Sequence, residues 1–365
     1  MRIVYDYQIF LYQQYGGISR YCYELARRIA QIEGCHASIH ALLHVNKYIK
    51  GDENFEVIGT PIPDILWLRR VPITINYLLG RRLARKCKPD IVHETYFTKY
   101  SIAPAKVKTV LTVYDMTYER LTNFFPSVQK ISQNKECAVK RADHIVCISE
   151  STKNDLIDTI NINPDKISVI YLGYTKDTTR HENKLNINDK PYILYVGQRA
   201  GYKNFSRLLQ AYAKSQRLQK DLRLVCFGAD RFSNNEINQI RELNIKPENV
   251  VHLKGDDGIL NHLYLNASIF VFPSLYEGFG IPLLEAMSFK CPVVCSNTSS
   301  FPEVAGDAAD YFDPCNLEEM TSSIESVVFS TEKRNHLIER GLERIKLFSW
   351  EKCAEETMKV YSSLV

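Results

Sequence analysis

The sequence predicts an α/β protein built from two doubly wound domains, and three observations point there. The chain has 365 residues, too many for one ordinary core and suited to two. Short apolar runs of strand type alternate with helical periodicities, and the alternation runs twice, on either side of a polar stretch at residues 173–190. Each half opens on a strand that runs into a glycine-containing turn, at Gly16-Gly17 and again at Gly197 to Gly201.

Composition narrows the class. An apolar fraction of 45% and a charged fraction of 24% are those of a soluble globular protein. No apolar run is long enough to span a bilayer, and residues 1–6 read as a strand rather than a signal-peptide core. The ten cysteines form no CxxC pair. Cys291 and Cys295, spaced CxxxC, lack a second pair and read as small core residues, so a reduced, cytoplasmic setting is expected. Residues 1–172 carry 23 basic against 17 acidic side chains, a net +6, whereas residues 173–365 carry 23 against 25, a net −2.

Strands are expected at residues 2–7, 37–44, 90–93, 109–113, 144–148 and 166–171. Ile18, Tyr21, Cys22, Leu25 and Ile29 recur at helical spacing after the first turn, and further helices are expected at 73–86, 127–140 and 149–160. This makes 1–172 the first domain and 173–190 a linker. The second domain, 191–348, has strands at 192–196, 222–227, 250–253, 268–272 and 292–295. Its helices fall at 206–214, 234–243, 259–267, 282–289, 317–329 and 332–347, and a last helix occupies 350–364. In such sheets ligands sit at the carboxyl ends of strands. Those ends carry Gly16-Gly17, His93 to Tyr96, Tyr114-Asp115-Met116 and Ser149-Glu150 in the first domain.

The chemistry concentrates at 273–287, PSLYEGFGIPLLEAM. Gly278 and Gly280 permit close backbone approach, and Pro282 suits a first helical turn. A helix N-terminus with exposed amides suits anions. The carboxylates of Glu277 and Glu285 suit the hydroxyls of a sugar. The stretch could therefore hold a ligand that is part phosphate and part sugar, although alone such a turn is more often a plain corner with two solvated glutamates. At the start of the second domain Arg199 and Lys203 flank Gly201 and are cations suited to phosphate. A doubly wound sheet would bring that loop to the same edge as Glu277.

Residues 64–90 carry Arg69, Arg70, Arg81, Arg82, Arg85, Lys86 and Lys88 with no acid between the end residues, interleaved with apolar side chains. Two readings stay open: a basic amphipathic segment lying on an anionic membrane surface, or a surface helix packing its apolar side on its own sheet. No nucleic-acid recognition module is present.

With these residues in view, the chain resembles the family 4 glycosyltransferases and is similar to their mannosyltransferase B-like branch. The carrying motif is PSLYEGFGIPLLEAMSFKCPVV, which fits the family's ExxxxxxxE signature with Glu277 and Glu285. SSFPEVAGDAA at 299–309, GGISRY at 16–21, VYDM at 113–116, ISES at 148–151, Val196-Gly197 with Tyr202-Lys203-Asn204, and FSW at 348–350 support it. The resemblance implies the GT-B architecture, two Rossmann-like domains facing a cleft, with the helix from Trp350 crossing back onto the first. It implies a first domain that takes the acceptor and a second that takes the nucleotide sugar. Glu277 would contact donor-sugar hydroxyls beside the backbone of Gly278, Phe279 and Gly280. Glu285 would bind the ribose, and Arg199 and Lys203 the diphosphate, with Gly16 and Gly17 approaching it. Asp115 would accept from the acceptor hydroxyl. Two positions depart from the pattern: Gln198 stands where many members have Arg, and Tyr114 where many have His.

The implied function is a retaining, metal-independent hexosyltransferase that needs no cofactor. It would move mannose or a related sugar from a GDP-sugar to a lipid-linked or oligosaccharide acceptor in surface polysaccharide synthesis, at the inner face of the cytoplasmic membrane. The alternatives are a UDP-sugar-dependent glucosyl- or N-acetylhexosaminyltransferase and a non-catalytic sugar-nucleotide-binding protein.

Overall fold

The structure is a computed structural model that describes residues 1–64, 70–176, 190–199, 201–228 and 230–365. Arg69 and most of the expected linker lie outside the described residues. The chain divides into two compact units, Met1–Gly173 with Phe348–Val365, and Tyr174–Leu347.

The first unit runs β1 (Arg2–Tyr5), α1 (Gln8–Tyr12), α2 (Gly17–Ala30), β2 (His36–His44), β3 (Glu56–Pro61), α3 (Arg70–Cys87), β4 (Ile91–Glu94), β5 (Lys108–Val113), α4 (Thr117–Arg120), α5 (Gln129–Arg141), β6 (His144–Cys147), α6 (Glu150–Ile160) and β7 (Ile167–Val169). Its sheet is parallel, in the order β3-β2-β1-β4-β5-β6-β7. Chain order reverses between β1 and β4, which pair with Tyr5 beside His93. The apolar spacing read in the sequence buries Tyr21, Cys22, Leu25 and Ile29 on α2. The sequence reading missed β3, an edge strand holding a glycine and a proline, with four of its six residues exposed. An edge strand needs no continuous apolar run, so its signal is weak.

The second unit runs β8 (Tyr192–Val196), α7 (Phe205–Lys214), α8 (Gln216–Asp221), β9 (Arg223–Phe227), α9 (Asn234–Glu242), β10 (Val250–Leu253), α10 (Asp257–Asn266), β11 (Ile269–Phe272), α11 (Ile281–Ser288), β12 (Val293–Ser296), α12 (Phe301–Ala305), β13 (Ala309–Phe312), α13 (Leu317–Val328) and α14 (Thr331–Arg344). The order β10-β9-β8-β11-β12-β13 is again parallel. Here the reversal falls between β8 and β11, with Ile193 beside Ile269. Ile193, Leu224, Val271 and Val294 from the central strands form the core with α7 and α13. Cys291 and Cys295 are buried free thiols, and burial pushes both pKa values up.

The last helix, α15 (Trp350–Leu364), belongs to the first unit and packs on α2. Ser349 caps it by accepting from the Lys352 N–H at 3.0 Å. Gly173 is required there, because a Cβ would lie 2.4 Å from the Trp350 ring. At the far end the buried Tyr361 hydroxyl meets the Tyr5 hydroxyl at 2.9 Å and also the Nδ1 of His93. Both partners sit on the central strands, so a buried polar network fixes the helix.

Candidate active site

Doubly wound sheets bind ligands where chain order reverses, at the carboxyl ends of the strands. In the second unit those ends belong to β8 and β11. The loop after β8 carries Lys203, and the loop after β11 carries Glu277. Their side chains meet, Lys203 Nζ to Glu277 Oε1 at 2.5 Å, with both mostly buried. Burial lowers the ammonium pKa, but the Glu277 charge and Tyr202 outweigh it, so Lys203 stands above its ordinary value and stays charged.

Backbone and hydroxyl contacts brace the pair. The Leu275 N–H donates to the Tyr202 carbonyl at 2.8 Å, joining the two loops. Asn204, in the left-handed region at φ 61°, donates from its amide to the carbonyls of Pro273 at 3.0 Å and Pro314 at 2.8 Å. The Ser274 hydroxyl donates to Glu277 Oε1 at 2.8 Å. The segment after β12 holds the same loop from behind. Ser299 Oγ accepts from the Glu277 N–H at 3.0 Å, and Ser300 Oγ contacts the carbonyls of Glu277 and Phe279, each at 2.9 Å. Ser299 itself sits at φ 51°, a conformation that a side chain adopts only under constraint. Sequence reasoning assigned none of these serines a role. Ser274 lies in the same loop as Glu277, and only the adjacency of β11 and β12 brings Ser299 and Ser300 to it.

Glu285 lies one turn into α11, half-buried, and its Oε2 accepts from the fully buried Tyr264 hydroxyl at 3.1 Å. Tyr264 comes from α10 and stacks on Phe289 with ring centres 6.2 Å apart. Gly280 begins α11 at φ 100°, so of the two glycines it is the one whose backbone the turn demands. Gly278 is half-buried, and Phe279 is buried.

Arg199 departs from expectation. Its side chain is 5% exposed, with Nε on Glu236 Oε1 at 2.6 Å and Nη2 on the carbonyls of Asp230 at 2.6 Å and Arg231 at 3.2 Å. The guanidinium also lies 4.8 Å from the centre of the Phe232 ring. A planar fork committed in this way ties the β8 loop to the start of α9. Lys203 is the cation that the structure places beside Glu277, and Arg199 lies against Glu236.

In the first unit Gly16 precedes α2. The Gln13 side chain packs against it so closely that a Cβ would lie 2.3 Å from Gln13 Oε1, which accepts from the Ser19 N–H at 3.1 Å. Gly17 is the first residue of α2. Asp115 follows β5 and is half-buried, with Oδ1 accepting from the Thr117 N–H at 3.0 Å. Its carbonyl accepts from the buried Lys135 at 2.9 Å. Tyr114 is a core residue whose hydroxyl donates to the Thr95 carbonyl at 3.0 Å. Among the described residues no group of His, Cys, Asp or Glu converges as metal ligands.

The basic stretch forms α3, with Arg69 outside the described residues. The helix buries small or polar positions, Pro72, Asn76, Gly80 and Ala84. Asn76 anchors it to β2 by accepting from the Leu43 N–H at 3.2 Å and donating to the Leu43 carbonyl at 2.9 Å. Its large apolar side chains divide: Ile73, Ile75, Tyr77 and Leu83 are half-buried, whereas Leu78 is 60% exposed and Leu79 53%. Arg82, Arg85 and Lys86 are exposed with them. The helix thus lies on its own sheet through Asn76 and the small residues, and these two leucines face away from it. No helix among the described residues is long and apolar enough to cross a membrane.

Comparison with known proteins places these two doubly wound units in a class of sugar-transferring enzymes. Residues 15–178 match the family described as Glycosyltransferase Family 4, and residues 177–344 match Glycosyl transferases group 1. The O-antigen chain mannosyltransferase B of Escherichia coli is 30% identical over 95% of this chain and 96% of its own. An enzyme of Campylobacter jejuni named as an N-acetylgalactosaminyltransferase acting on a diphospho-undecaprenol-linked sugar is 29% identical over 60% of each chain. Among solved structures, Anabaena HepE in complex with UDP-glucose superposes with a TM-score of 0.74 at 15% identity, covering 100% of both chains. The chain belongs to the family 4 glycosyltransferases, and its fold is GT-B.

Proposed function

We propose that this glycosyltransferase moves mannose from a GDP-sugar to a lipid-linked glycan at an anionic membrane surface. The observation that carries the reading is the Lys203–Glu277 pair at the reversal point of the second sheet. A nucleotide sugar supplies a partner for each member. The diphosphate takes the ammonium, and the sugar hydroxyls donate to the carboxylate that Ser274 continues to orient. Glu285, oriented by Tyr264, accepts from the ribose hydroxyls. The backbone of Gly278, Phe279 and Gly280 lines the sugar. Mannose and the lipid-linked acceptor are favoured by the names of the relatives, and the membrane by the outward leucines and arginines of α3.

In the proposed reaction the bond from the anomeric carbon to the diphosphate breaks, and negative charge develops on the departing oxygen. Lys203 and the amides at the start of α11 stabilise that charge without reorganising. The acceptor hydroxyl bonds to the anomeric carbon from the same face, with retention, and its proton passes to the departing phosphate. Glu277 and Glu285 serve binding, so neither acts as the nucleophile of a two-carboxylate scheme. Asp115 orients the acceptor hydroxyl. No metal and no cofactor take part.

The test is release of nucleoside diphosphate from GDP-mannose and a panel of UDP-sugars with a mannosylated lipid acceptor. Turnover with GDP-mannose is expected, and no turnover with any donor contradicts the reading. Tyr264→Phe is expected to raise the donor KM about three- to tenfold with kcat little changed, because it removes one hydrogen bond that orients Glu285. An equal fall in kcat would place Tyr264 elsewhere in the mechanism. For the membrane, co-sedimentation with vesicles of anionic lipid is expected for the wild type and is reduced at least tenfold by the pair Leu78→Ser and Arg82→Glu. Undiminished binding contradicts that role for α3.

A further inference from the structure

We propose that the first unit carries a track of tyrosines that stacks on the sugar rings of the acceptor, running from the reversal point of its sheet outward to α3. The inference rests on the reading of the acceptor as a lipid-linked glycan and names the residues and chemistry that would hold the glycan part.

The track begins where the topology places ligands, at the carboxyl ends of β1 and β4. Tyr12 ends the short helix after β1, and Tyr96 lies in the loop after β4. Their rings approach to 5.8 Å between centres. Asp6 sets this pairing. Its buried carboxylate accepts from the Thr95 N–H at 2.9 Å, the Thr95 hydroxyl at 2.6 Å and the Gln8 side-chain amide at 2.5 Å, so both loops are tied at their roots. On one side the loop continues to Tyr15, which meets Tyr48 edge-on at 5.5 Å. Asn46 holds that pair, donating to the Gln13 carbonyl at 2.7 Å and accepting from the Tyr48 N–H at 3.0 Å. On the other side Tyr100 meets Tyr77 of α3 at 5.7 Å, next to the outward Leu78.

Tyr15 is 66% exposed, Tyr100 58% and Tyr12 37%, while their ring partners Tyr48, Tyr77 and Tyr96 are half-buried. Exposed rings backed by half-buried ring partners along one edge mark a binding surface. A tyrosine offers a flat apolar face and a polar tip at low cost in side-chain entropy. A pyranose offers the complement, an apolar face of C–H bonds within a rim of hydroxyls. A bare lipid chain would need no such tips, and the cations beside the rings, Lys99 at 5.6 Å from the centre of Tyr100 and Arg81 donating to the Tyr77 hydroxyl at 3.3 Å, suit the hydroxyl rim of a sugar as hydrogen-bond donors. The continuity with α3 fits an acceptor whose lipid lies at the helix and whose sugars run inward to the reversal point.

The test uses the full chain and α-linked mannotriose as a probe, followed by saturation-transfer NMR. Saturation of the sugar ring protons is expected with the wild type. Tyr12→Ala and Tyr15→Ala should each weaken binding about three- to tenfold, whereas Tyr12→Phe and Tyr15→Phe keep it, since stacking needs the ring and not the hydroxyl. In turnover assays the alanine variants should raise the acceptor KM by the same factor and leave the donor KM unchanged. Wild-type binding by the alanine variants, no saturation with the wild type, or a matching rise in donor KM overturns the track. A protein that binds the trisaccharide through these tyrosines but uses no GDP-sugar refutes the donor reading while supporting the track.

Discussion

Lys203→Ala is expected to lower kcat about 10²- to 10³-fold, the usual cost of removing one preorganised group from a site of developing negative charge. Stability should fall by only about 1–2 kcal/mol. The substitution removes a partner of Glu277, but the Ser274 hydroxyl remains on the same carboxylate oxygen at 2.8 Å, and the Glu277 N–H remains on Ser299. The loop therefore keeps its shape without the ammonium. Initial rates beside a thermal melt separate the two effects. Loss of fold and activity in equal measure would make Lys203 a structural residue.

Arg199→Met is expected to do the reverse, costing about 3–5 kcal/mol of stability because one substitution removes the ion pair to Glu236 together with the donors to two backbone carbonyls. Glu236 loses its ion pair, and the carbonyls of Asp230 and Arg231 lose donors. Removing both charges with Arg199→Met and Glu236→Met should recover part of the loss, since no uncompensated charge remains. The pH dependence carries a sign. Burial raises the Glu236 pKa, but the bonds from Arg199 and Ser233 outweigh it and leave the carboxyl below its ordinary value of 4.5. A depressed acid contributes stability that is present above its unfolded value and lost as pH falls through the folded one. Denaturant melts of the wild type should show that acid limb, and Arg199→Met should flatten it. A variant as stable as the wild type, with turnover alone impaired, would return Arg199 to the phosphate.

Lys203 and Arg199 looked alike in the sequence, two cations around Gly201, and the structure separates them. What distinguishes them is distant in the chain: Glu236 lies 37 residues from Arg199, and Glu277 lies 74 from Lys203. The repeated strand–helix alternation was legible because both faces of a parallel sheet are covered, so its inner strands read as apolar runs. The edge strands β3, mostly exposed, and β13, with its middle residues half-buried, carry no such run and were not legible. The ExxxxxxxE turn was legible from its glycines and acids. The hydroxyls that orient those acids, Ser274, Ser299 and Tyr264, were not, because serine and tyrosine occur everywhere and the fold is what sets Ser299 beside Glu277 and Tyr264 beside Glu285. For α3 the composition could not say which side faces the sheet. Asn76 bonding to Leu43 decides it by fixing the small-residue face inward.

The central claim is that Lys203 holds the diphosphate and Glu277 the sugar. Calorimetric titration of GDP and GDP-mannose into the wild type, Lys203→Ala and Glu277→Gln tests it most directly. The account predicts that GDP binds the wild type, binds Lys203→Ala at least tenfold more weakly, and binds Glu277→Gln no less tightly, while GDP-mannose loses affinity in both variants. Equal GDP affinity for the wild type and Lys203→Ala, or no binding of GDP by the wild type, would contradict it.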